Sequence, residues 1–335
     1  MTLADSIPTT PRAASGKTPR AWRDRVLFWA LIALFFFGLF GLISATGWQE
    51  TWDEFRKLSL WQIGVLLALS LINYLIRGVR WHFLAHRLRI DLPLGISLLH
   101  FIGGFAMTIT PARVGEFVRL RWTTRMTGWS FERLTPLSLA DRAFDLAAMG
   151  LVLGVAVLAS DQGSMSAAPV AITAITAAIF VTRPALLTKL VEFLYGTLNR
   201  WPRPFAKLRQ AARSMGRFSE LRSSGPALIL SAIGWMAEGF AFYLLLQWMG
   251  ADMGLATATV IFLFSTLAGG LTGAPGGLGG AEATMMVLLT MNGAPLHVAV
   301  AATTVIRITT LWFAIAVGAL AFPFAEAFSN KTKKT

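Results

Sequence analysis

The sequence predicts an all-α polytopic membrane protein, and three observations support that prediction. Hydrophobic residues make up 55% of the 335-residue chain and charged residues only 14%, whereas charged residues make up about 25% of soluble domains. Several apolar runs approach or exceed the ~20 residues that a helix needs to span a bilayer. Two polar, helix-breaking elements interrupt this apolar sequence. Together these features predict six full spans plus two opposed re-entrant helical hairpins, arranged as an inverted-topology repeat.

The apolar runs and the segments between them divide the chain into its predicted elements. Residues 1–24 lack an apolar run, so we expect a disordered basic cytoplasmic tail, followed by a first span that acts as an uncleaved signal anchor. Residues 25–325 then form a single transmembrane domain, and residues 326–335 form a second cytoplasmic tail. The six full spans are predicted at residues 26–45, 60–78, 136–158, 168–187, 226–249 and 296–322.

A basic segment, residues 188–224, separates the fourth and fifth predicted spans. It contains eight lysine or arginine residues against two glutamates, and its apolar residues recur at helical spacing. This pattern is typical of amphipathic helices that lie on the cytoplasmic membrane surface. A solvated basic loop is the alternative interpretation.

The two helix-breaking elements share one pattern: a proline, three residues, a glycine, and then a glutamate within three positions. They occupy residues 110–116 and 274–282, and each ends an apolar run. Proline and glycine break helices, and broken backbone persists at membrane depth only where protein or a watery cavity satisfies it. The predicted hinge residues are Pro111, Gly115, Pro275, Gly276, Gly277 and Gly279.

Charge placement predicts the orientation, because basic loops stay on the cytoplasmic side. The basic segments are the two tails and residues 77–89, 113–133 and 188–224, and the acidic or neutral loops are 46–58, 159–167 and 250–254. Both flanks of residues 94–109 are basic, so we expect 94–128 to be a hairpin that enters and leaves from the cytoplasm. Residues 253–294 then form a hairpin that enters from outside. The two repeats are predicted at residues 60–160 and 226–322, with both termini cytoplasmic.

Ionisable residues at membrane depth are costly and mark functional sites by default. Asp141 and Asp145 are four residues apart and share a helix face, so they require a cation, for which Arg113, Arg119 and Arg307 are candidates. Ion pairs that only hold the bundle together are the alternative interpretation of this group. The intramembrane set is Glu116, Asp141, Arg142, Asp145, Glu238, Glu282 and Arg307.

Several function classes lack their sequence signatures. The chain has no cysteine and four histidines without ligand spacing, so we expect no metal site and no cofactor. The glycine-rich run at 276–280 lacks the Lys-Ser/Thr of a phosphate-binding loop. The net charge of +13 lies in loops beside spans, which favours a membrane surface over nucleic acid as its partner.

At its polar motifs the sequence resembles the lysylphosphatidylglycerol synthase transmembrane region family, also described as flippase-like integral membrane proteins. The resemblance covers about residues 25–325. It implies lipid handling, with substrates in stand-alone members that include hopanoid and polyprenyl-linked lipids. Few residues follow the last span, so we expect a stand-alone member without the soluble aminoacyltransferase domain, and do not carry over aminoacyl transfer. The motifs are residues 110–116 with Arg119, the Asp141-Arg142 pair with Asp145, residues 275–279 with Glu282, and Arg307.

We therefore expect a lipid transporter of the bacterial inner membrane, and not an enzyme. It would move a phospholipid or a polyprenyl- or hopanoid-type amphiphile with a polar, anionic headgroup. Transport would be downhill or ion-coupled, with Glu116 and Glu282 as the candidates to carry a proton. The headgroup-binding residues are predicted to be Arg113, Glu116, Arg119, Glu282 and Arg307, and the supporting ion pairs Asp141, Arg142, Asp145 and Glu238.

Two alternatives belong to other function classes. A membrane-embedded transferase acting on a polyprenyl-phosphate lipid would also use carboxylates and arginines in a polar cavity. A non-catalytic partner of an envelope-lipid biosynthetic enzyme would use the basic 188–224 segment as its docking surface. The sequence shows no Asp-x-Asp metal-binding motif, which favours the transporter over the transferase.

Overall fold

The computed structural model describes residues 48–108, 110, 116–159, 218 and 220–331, together with isolated positions between residues 172 and 192. The described residues of 48–159 and 220–331 form ten α-helices and no strands. In chain order they are α1 (Trp48–Arg56), α2 (Leu60–Arg87), α3 (Leu94–Gly103), α4 (Val118–Thr127), α5 (Phe131–Ala159), α6 (Leu221–Trp248), α7 (Leu255–Leu271), α8 (Gly280–Met291), α9 (Leu296–Arg307) and α10 (Phe313–Lys331).

Four of the described helical segments are long and apolar enough to cross a membrane. They confirm the predicted spans at 60–78, 136–158, 226–249 and 296–322, and the first and last of them extend beyond the predicted ends. The segments are Leu60–Arg87, Phe131–Ala159, Arg222–Trp248 and Leu296–Asn330. The predicted spans at 26–45 and 168–187, the tail 1–24, the end of the tail 326–335 and nearly all of the 188–224 segment lie outside the described residues.

The predicted basic loop at 77–89 is wrong, because α2 continues to Arg87. A capping box starts this helix: the Ser59 hydroxyl accepts from the Gln62 amide, and the Gln62 side chain accepts from the Ser59 amide. The helix ends where Arg89 adopts a left-handed conformation with φ of 62°. Arg77 is therefore a residue inside a membrane helix and not part of a loop, and so is Arg80.

The described chain shows the same order of elements twice: a long helix, a short helix, a break, a short helix and a long helix. In the first half, α3 continues as a 3₁₀ turn, Gly104–Met107, before the break that leads to α4. In the second half, α7 leads through its own break to α8, and α9 passes into α10 through a π-helical turn, Ile308–Trp312. The stretches before the breaks, Leu94–Met107 and Leu255–Leu271, are apolar but shorter than a full span.

The second break is built from glycines in the left-handed region. Gly273, Gly276, Gly277 and Gly279 have φ between 62° and 83°, a conformation that costs other residues free energy. Pro275 opens a short 3₁₀ turn between them. The hinge role predicted for the glycines at 276, 277 and 279 thus has a backbone basis. In the first break, Pro111 and Gly115 lie outside the described residues.

Each half packs against the other through its long helices. The two first long helices, α2 and α6, pack along each other. The short helix before each break packs against the last long helix of the opposite half, α3 against α10 and α7 against α5. The contact of α10 with the first break is very close, because a Cβ on Gly318 would lie 2.4 Å from the amide nitrogen of Ala106. These crossings bring the residues around both breaks into the interior of the bundle.

Candidate functional site

Two arginines of α2 and two aspartates of α5 form a buried ion-pair network. Arg77 Nη2 donates to Asp145 Oδ2 at 2.5 Å, and Arg80 Nη1 donates to Asp145 Oδ1 at 2.6 Å. The second terminal nitrogen of Arg80 donates to Asp141, and Ser231 on α6 accepts from Arg80 as well. The guanidinium of Arg80 and the carboxylate of Asp141 are fully buried. The network therefore joins α2, α5 and α6 inside the bundle.

Helical spacing explains why these four side chains meet. Arg77 and Arg80 are three residues apart on α2, and Asp141 and Asp145 are four residues apart on α5, so each pair lies on one helix face. A buried unpaired ion costs several kcal/mol. Pairing both aspartates with both arginines offsets that cost and fixes α2 against α5.

Glu116, which follows the first break, is shared by two arginines. Its Oε2 accepts from Arg119 Nη2 at 2.7 Å and from Arg142 Nη2. Its Oε1 accepts from the hydroxyl of Thr108, the last residue before the break, at 3.0 Å. Arg119 Nη1 also lies 3.5 Å from Asp141 Oδ2. Asp141 therefore connects this group to the α2–α5 network, and the whole forms one set, which we call the Glu116 cluster.

Arg119 is enclosed by aromatic rings. Its guanidinium lies 4.4 Å from the ring centroid of Phe101 and 5.3 Å from that of Trp81, within the range of cation–π attraction. Gly104 leaves room for the side chain, because a Cβ there would lie 2.5 Å from Arg119 Nε. With 1% of its side chain exposed, Arg119 is enclosed between these rings and Glu116.

The Glu116 cluster has four arginines against three carboxylates, which is a formal excess of one positive charge. The exposed cation of the cluster is Arg142, with 36% of its side chain accessible, whereas the other six side chains are 8% exposed or less. The members are Arg77, Arg80, Glu116, Arg119, Asp141, Arg142 and Asp145.

A second ion pair lies at the second break. Arg307 Nε donates to Glu282 Oε1 at 2.5 Å, and Arg307 Nη2 donates to the carbonyl oxygen of Gly276 at 2.9 Å. The other carboxylate oxygen of Glu282 accepts from the backbone amide of Gly279 at 2.6 Å. Glu282 thereby caps the first turn of α8, where an acidic side chain is favourable. The pair ties α9 to both sides of the glycine-rich break.

The two breaks have the same electrostatic design. In each, a glutamate just after the break pairs with an arginine in the long helical segment that follows. The separation in sequence is 26 residues for Glu116 and Arg142 and 25 residues for Glu282 and Arg307. The predicted site residue Arg113 lies outside the described residues.

Comparison with known proteins agrees with these motifs. The model of the lysylphosphatidylglycerol synthase transmembrane region matches residues 26–318 of the chain. The chain belongs to this family. The resemblance predicted from the polar motifs is thereby confirmed, and so is the prediction of a membrane protein with several apolar helices.

The chain is also similar in sequence to two UPF0104 membrane proteins of Methanothermobacter thermautotrophicus. One is 25% identical over 279 residues, which cover 76% of this chain and 82% of that protein. The other is 24% identical over 328 residues, which cover 90% of this chain and 96% of that protein. Both resemble this member of the lysylphosphatidylglycerol synthase transmembrane family along most of their length.

In this family member, sequence reasoning missed Arg77 and Arg80. Both were interpreted as loop residues because they precede further basic residues, Arg87 and Arg89. One signal in the sequence could have identified them. Arg77 and Arg80 are three residues apart and so share a helix face, as do the two aspartates for which a cation was expected. Arg142 was predicted only as support, yet it is the accessible arginine of the Glu116 cluster.

Glu238 was predicted to support an ion pair, and the structure places it near the middle of α6. Its Oε1 accepts from the side-chain amide of Asn73 on α2 at 2.6 Å, and both residues are buried. The adjacent residue of α2, Tyr74, donates from its hydroxyl to the carbonyl oxygen of Thr310 in the π-helical turn. Within the described ranges, no three histidine or carboxylate side chains are grouped as a metal site requires.

Proposed function

We propose that this protein moves an amphiphile with an anionic headgroup between the leaflets of its membrane. The observation that supports this proposal most strongly is the Glu116 cluster, in which the side chain of Arg142 is the accessible cation. A buried cluster with surplus cationic charge attracts an anion, and arginine recognises phosphate through two parallel hydrogen bonds. The candidate substrates are a phospholipid, a polyprenyl phosphate or a hopanoid-type amphiphile.

Headgroup binding would proceed by exchange at Arg142. Glu116 is shared between Arg119 and Arg142, so it keeps one buried partner when Arg142 turns to a phosphate. The exchange therefore leaves no buried carboxylate unpaired, which would cost several kcal/mol. The other members of the cluster hold Glu116 and Arg142 in place, as the sequence-based prediction of supporting ion pairs requires.

The second break would provide a second contact for the headgroup, on the opposite side of the membrane from the first break. The repeated order of elements, the near-equal Glu–Arg spacing and the crossed packing of α3 on α10 and α7 on α5 support an inverted-topology repeat with two re-entrant hairpins. Arg307 would turn from Glu282 to the headgroup as Arg142 turns from Glu116, and the backbone amide of Gly279 would keep its hydrogen bond to Glu282. Each hairpin would thus give the headgroup one arginine on its path.

Contacts at the helix ends support the proposed orientation. Arg87, at the end of α2, donates to the carbonyl oxygen of Arg222 at the start of α6 at 2.8 Å. Arg125, at the end of α4, pairs with Glu326 near the end of α10. These basic helix ends would face the cytoplasm, and the carboxyl-terminal end of α10 would then lie inside, in keeping with the predicted location in a bacterial inner membrane. The basic segment 188–224 would lie on the same surface, available to a lipid-biosynthetic enzyme.

The test is reconstitution of the full chain into liposomes that carry labelled lipids. Labelled phosphatidylglycerol and polyprenyl phosphate should change leaflet faster than in protein-free vesicles, and labelled phosphatidylcholine, which has no net charge, should move more slowly. Equal rates with and without protein for all three lipids would contradict the proposal.

A further inference from the structure

We infer that Trp122 and Arg125 of α4 form an entry site for the phosphate of a lipid headgroup, and that Glu326 of α10 occupies this site in the present structure. The role of the site in loading the transporter rests on the proposed function. The binding of a phosphate group rests only on the contact between α4 and α10, and can be tested alone.

Two donors of α4 hold the two oxygens of the Glu326 carboxylate. Trp122 Nε1 donates to Oε2 at 2.6 Å, and Arg125 Nη1 donates to Oε1 at 2.5 Å. The two donors are three residues apart and therefore share a face of α4. Arginine binds carboxylates and phosphates with the same paired geometry, so the position of Glu326 shows where two oxygens of a phosphate group would lie.

Trp122 is a fixed part of this site, because its ring is fully buried. The ring centroid lies 5.1 Å from that of Phe322 and 5.5 Å from that of His100. Gly103 makes room for the indole, since a Cβ there would lie 3.2 Å from Trp122 Cη2. The packing holds the indole N–H in the direction of α10. A buried indole N–H needs an acceptor, and that acceptor is either Glu326 or a ligand.

Glu326 can leave this position. It lies in the last two turns of α10, and 35% of its side chain is exposed, against 18% of that of Arg125. Ion pairs with such access to water are weak. When Glu326 turns to solvent, a phosphate group in its place restores both hydrogen bonds. Ser329 Oγ, which lies 3.3 Å from Arg125 Nη1, and the side-chain amide of Asn330 are further polar groups beside the site.

The helix that carries the site also carries part of the Glu116 cluster. Arg119, which donates to Glu116, lies three residues before Trp122 and six before Arg125. At a rise of 1.5 Å per residue, Arg125 is about 9 Å along the helix from Arg119. α4 contains three arginines and no acidic residue, so this stretch attracts anions. A headgroup held at Arg125 is therefore a short step from the Glu116 cluster and its accessible cation.

The second hairpin differs from the first at the corresponding positions. Trp122 and Arg125 lie six and nine residues after Glu116, whereas Leu288 and Met291 lie six and nine residues after Glu282. No charged residue follows Glu282 in α8. The entry site thus belongs to the first hairpin, for which we propose the cytoplasmic side. The lipid would accordingly be loaded from the cytoplasmic leaflet.

Nuclear magnetic resonance of the tryptophan indole N–H groups tests binding without any transport. The signal of Trp122 is assigned with Trp122→Phe, and the full chain in micelles is titrated with dihexanoyl-phosphatidylglycerol or, separately, with inorganic phosphate. Glu326→Ala removes the competing carboxylate, so its Trp122 signal should shift at an about fivefold lower lipid concentration than in the unaltered protein. Glu326→Gln, which keeps an acceptor oxygen without the charge, should give an intermediate value.

Two double variants show whether Arg125 makes the contact. Added to Glu326→Ala, Arg125→Gln should weaken the response about tenfold. Arg133→Gln, which removes the same charge from an exposed residue of α5, should leave it unchanged. A Trp122 signal in Glu326→Ala that responds to neither compound would overturn the inference. A response to inorganic phosphate without one to the lipid would overturn the assignment to a lipid headgroup.

Proteoliposomes test the role of the site in loading. The leaflet-exchange rate of labelled phosphatidylglycerol is measured while its mole fraction in phosphatidylcholine is varied. Arg125→Gln should raise the mole fraction that gives the half-maximal rate, and Glu326→Ala should lower it. An effect of Arg125→Gln on the maximal rate alone contradicts a role in entry. If no lipid moves at all, the transport function fails, and the resonance experiment still decides whether the site binds phosphate.

Discussion

Arg307 donates from Nε to the carboxylate of Glu282 at 2.5 Å, and this contact fastens a long helical segment to a break built from glycines. The Arg307 side chain also reaches the carbonyl oxygen of Gly276 on the opposite side of the break. The pair therefore connects Arg307 to both sides of the break, and it has a counterpart in Glu116 and Arg142 after the first break.

Removal of one partner of this pair should loosen the second break. Arg307→Gln leaves Glu282 buried without its cation, which costs about 3–5 kcal/mol. We expect faster hydrogen exchange at the backbone amides of residues 276–280 and slower lipid exchange between leaflets. The exchanged pair, Glu282→Arg with Arg307→Glu, should recover part of the stability, and no recovery together with unchanged hydrogen exchange in the single variant would contradict this role.

The buried network should dominate the stability of the first half. Arg80→Met leaves Asp141 and Asp145 short of one cation in the interior, so we expect a loss of about 3–5 kcal/mol, visible as a lower Tm in detergent. Arg121→Met is the matched control, because Arg121 lies on α4 with its side chain exposed. Equal Tm values for the two variants would argue against the network.

Close backbone approach at the second break can be tested with two adjacent glycines. A Cβ on Gly269 would lie 2.9 Å from the amide nitrogen of Ala281 and 2.9 Å from the carbonyl oxygen of Gly277, whereas a Cβ on Gly270 would meet nothing within 4 Å. Gly269→Ala should therefore lower the Tm and the transport rate. Gly270→Ala should leave both unchanged or gain up to about 1 kcal/mol of stability from helix propensity. A larger loss of stability in Gly270→Ala than in Gly269→Ala would contradict the close approach of the backbone at this break.

Because the chain contains no cysteine, introduced cysteines can report its membrane topology without background labelling. Single cysteines are placed at Gly128, Asn330 and Gly293 in separate variants and reacted with a membrane-impermeant maleimide in sealed, oriented vesicles. We expect the first two to react only from the cytoplasmic side and the third only from outside. A cysteine at Gly128 that reacts from outside would contradict the first re-entrant hairpin.

The sequence predicted much of the helical architecture because apolar runs and helix breakers act locally. The spans around 136–158 and 226–249 and the second break were predicted within a few residues. The predicted end of the span at 60–78 was wrong because a rule based on charge treats every arginine as a loop residue. Arg80 shows the reason: its partner Asp141 lies 61 residues away along the chain, and only the folded bundle reveals that pairing.

The site was predicted in its residue types and less well in its pairings. Glu116, Arg142, Glu282 and Arg307 were selected from position and charge alone. The sequence did not show that Glu116 is shared, or that Arg142 is the exposed member of its cluster, because exposure depends on packing between α2, α4 and α5.

The central claim is that Arg142 contacts the anionic headgroup during transport. The direct measurement is the leaflet-exchange rate of labelled phosphatidylglycerol in proteoliposomes that contain Arg142→Gln, with Arg133→Gln, an exposed arginine that stacks on Trp129, as the control. Loss of a charged hydrogen bond worth about 1.5–3 kcal/mol predicts a roughly 10- to 100-fold slower rate for Arg142→Gln and no change for Arg133→Gln. An Arg142→Gln protein that folds normally and moves the lipid at the unaltered rate would contradict the account.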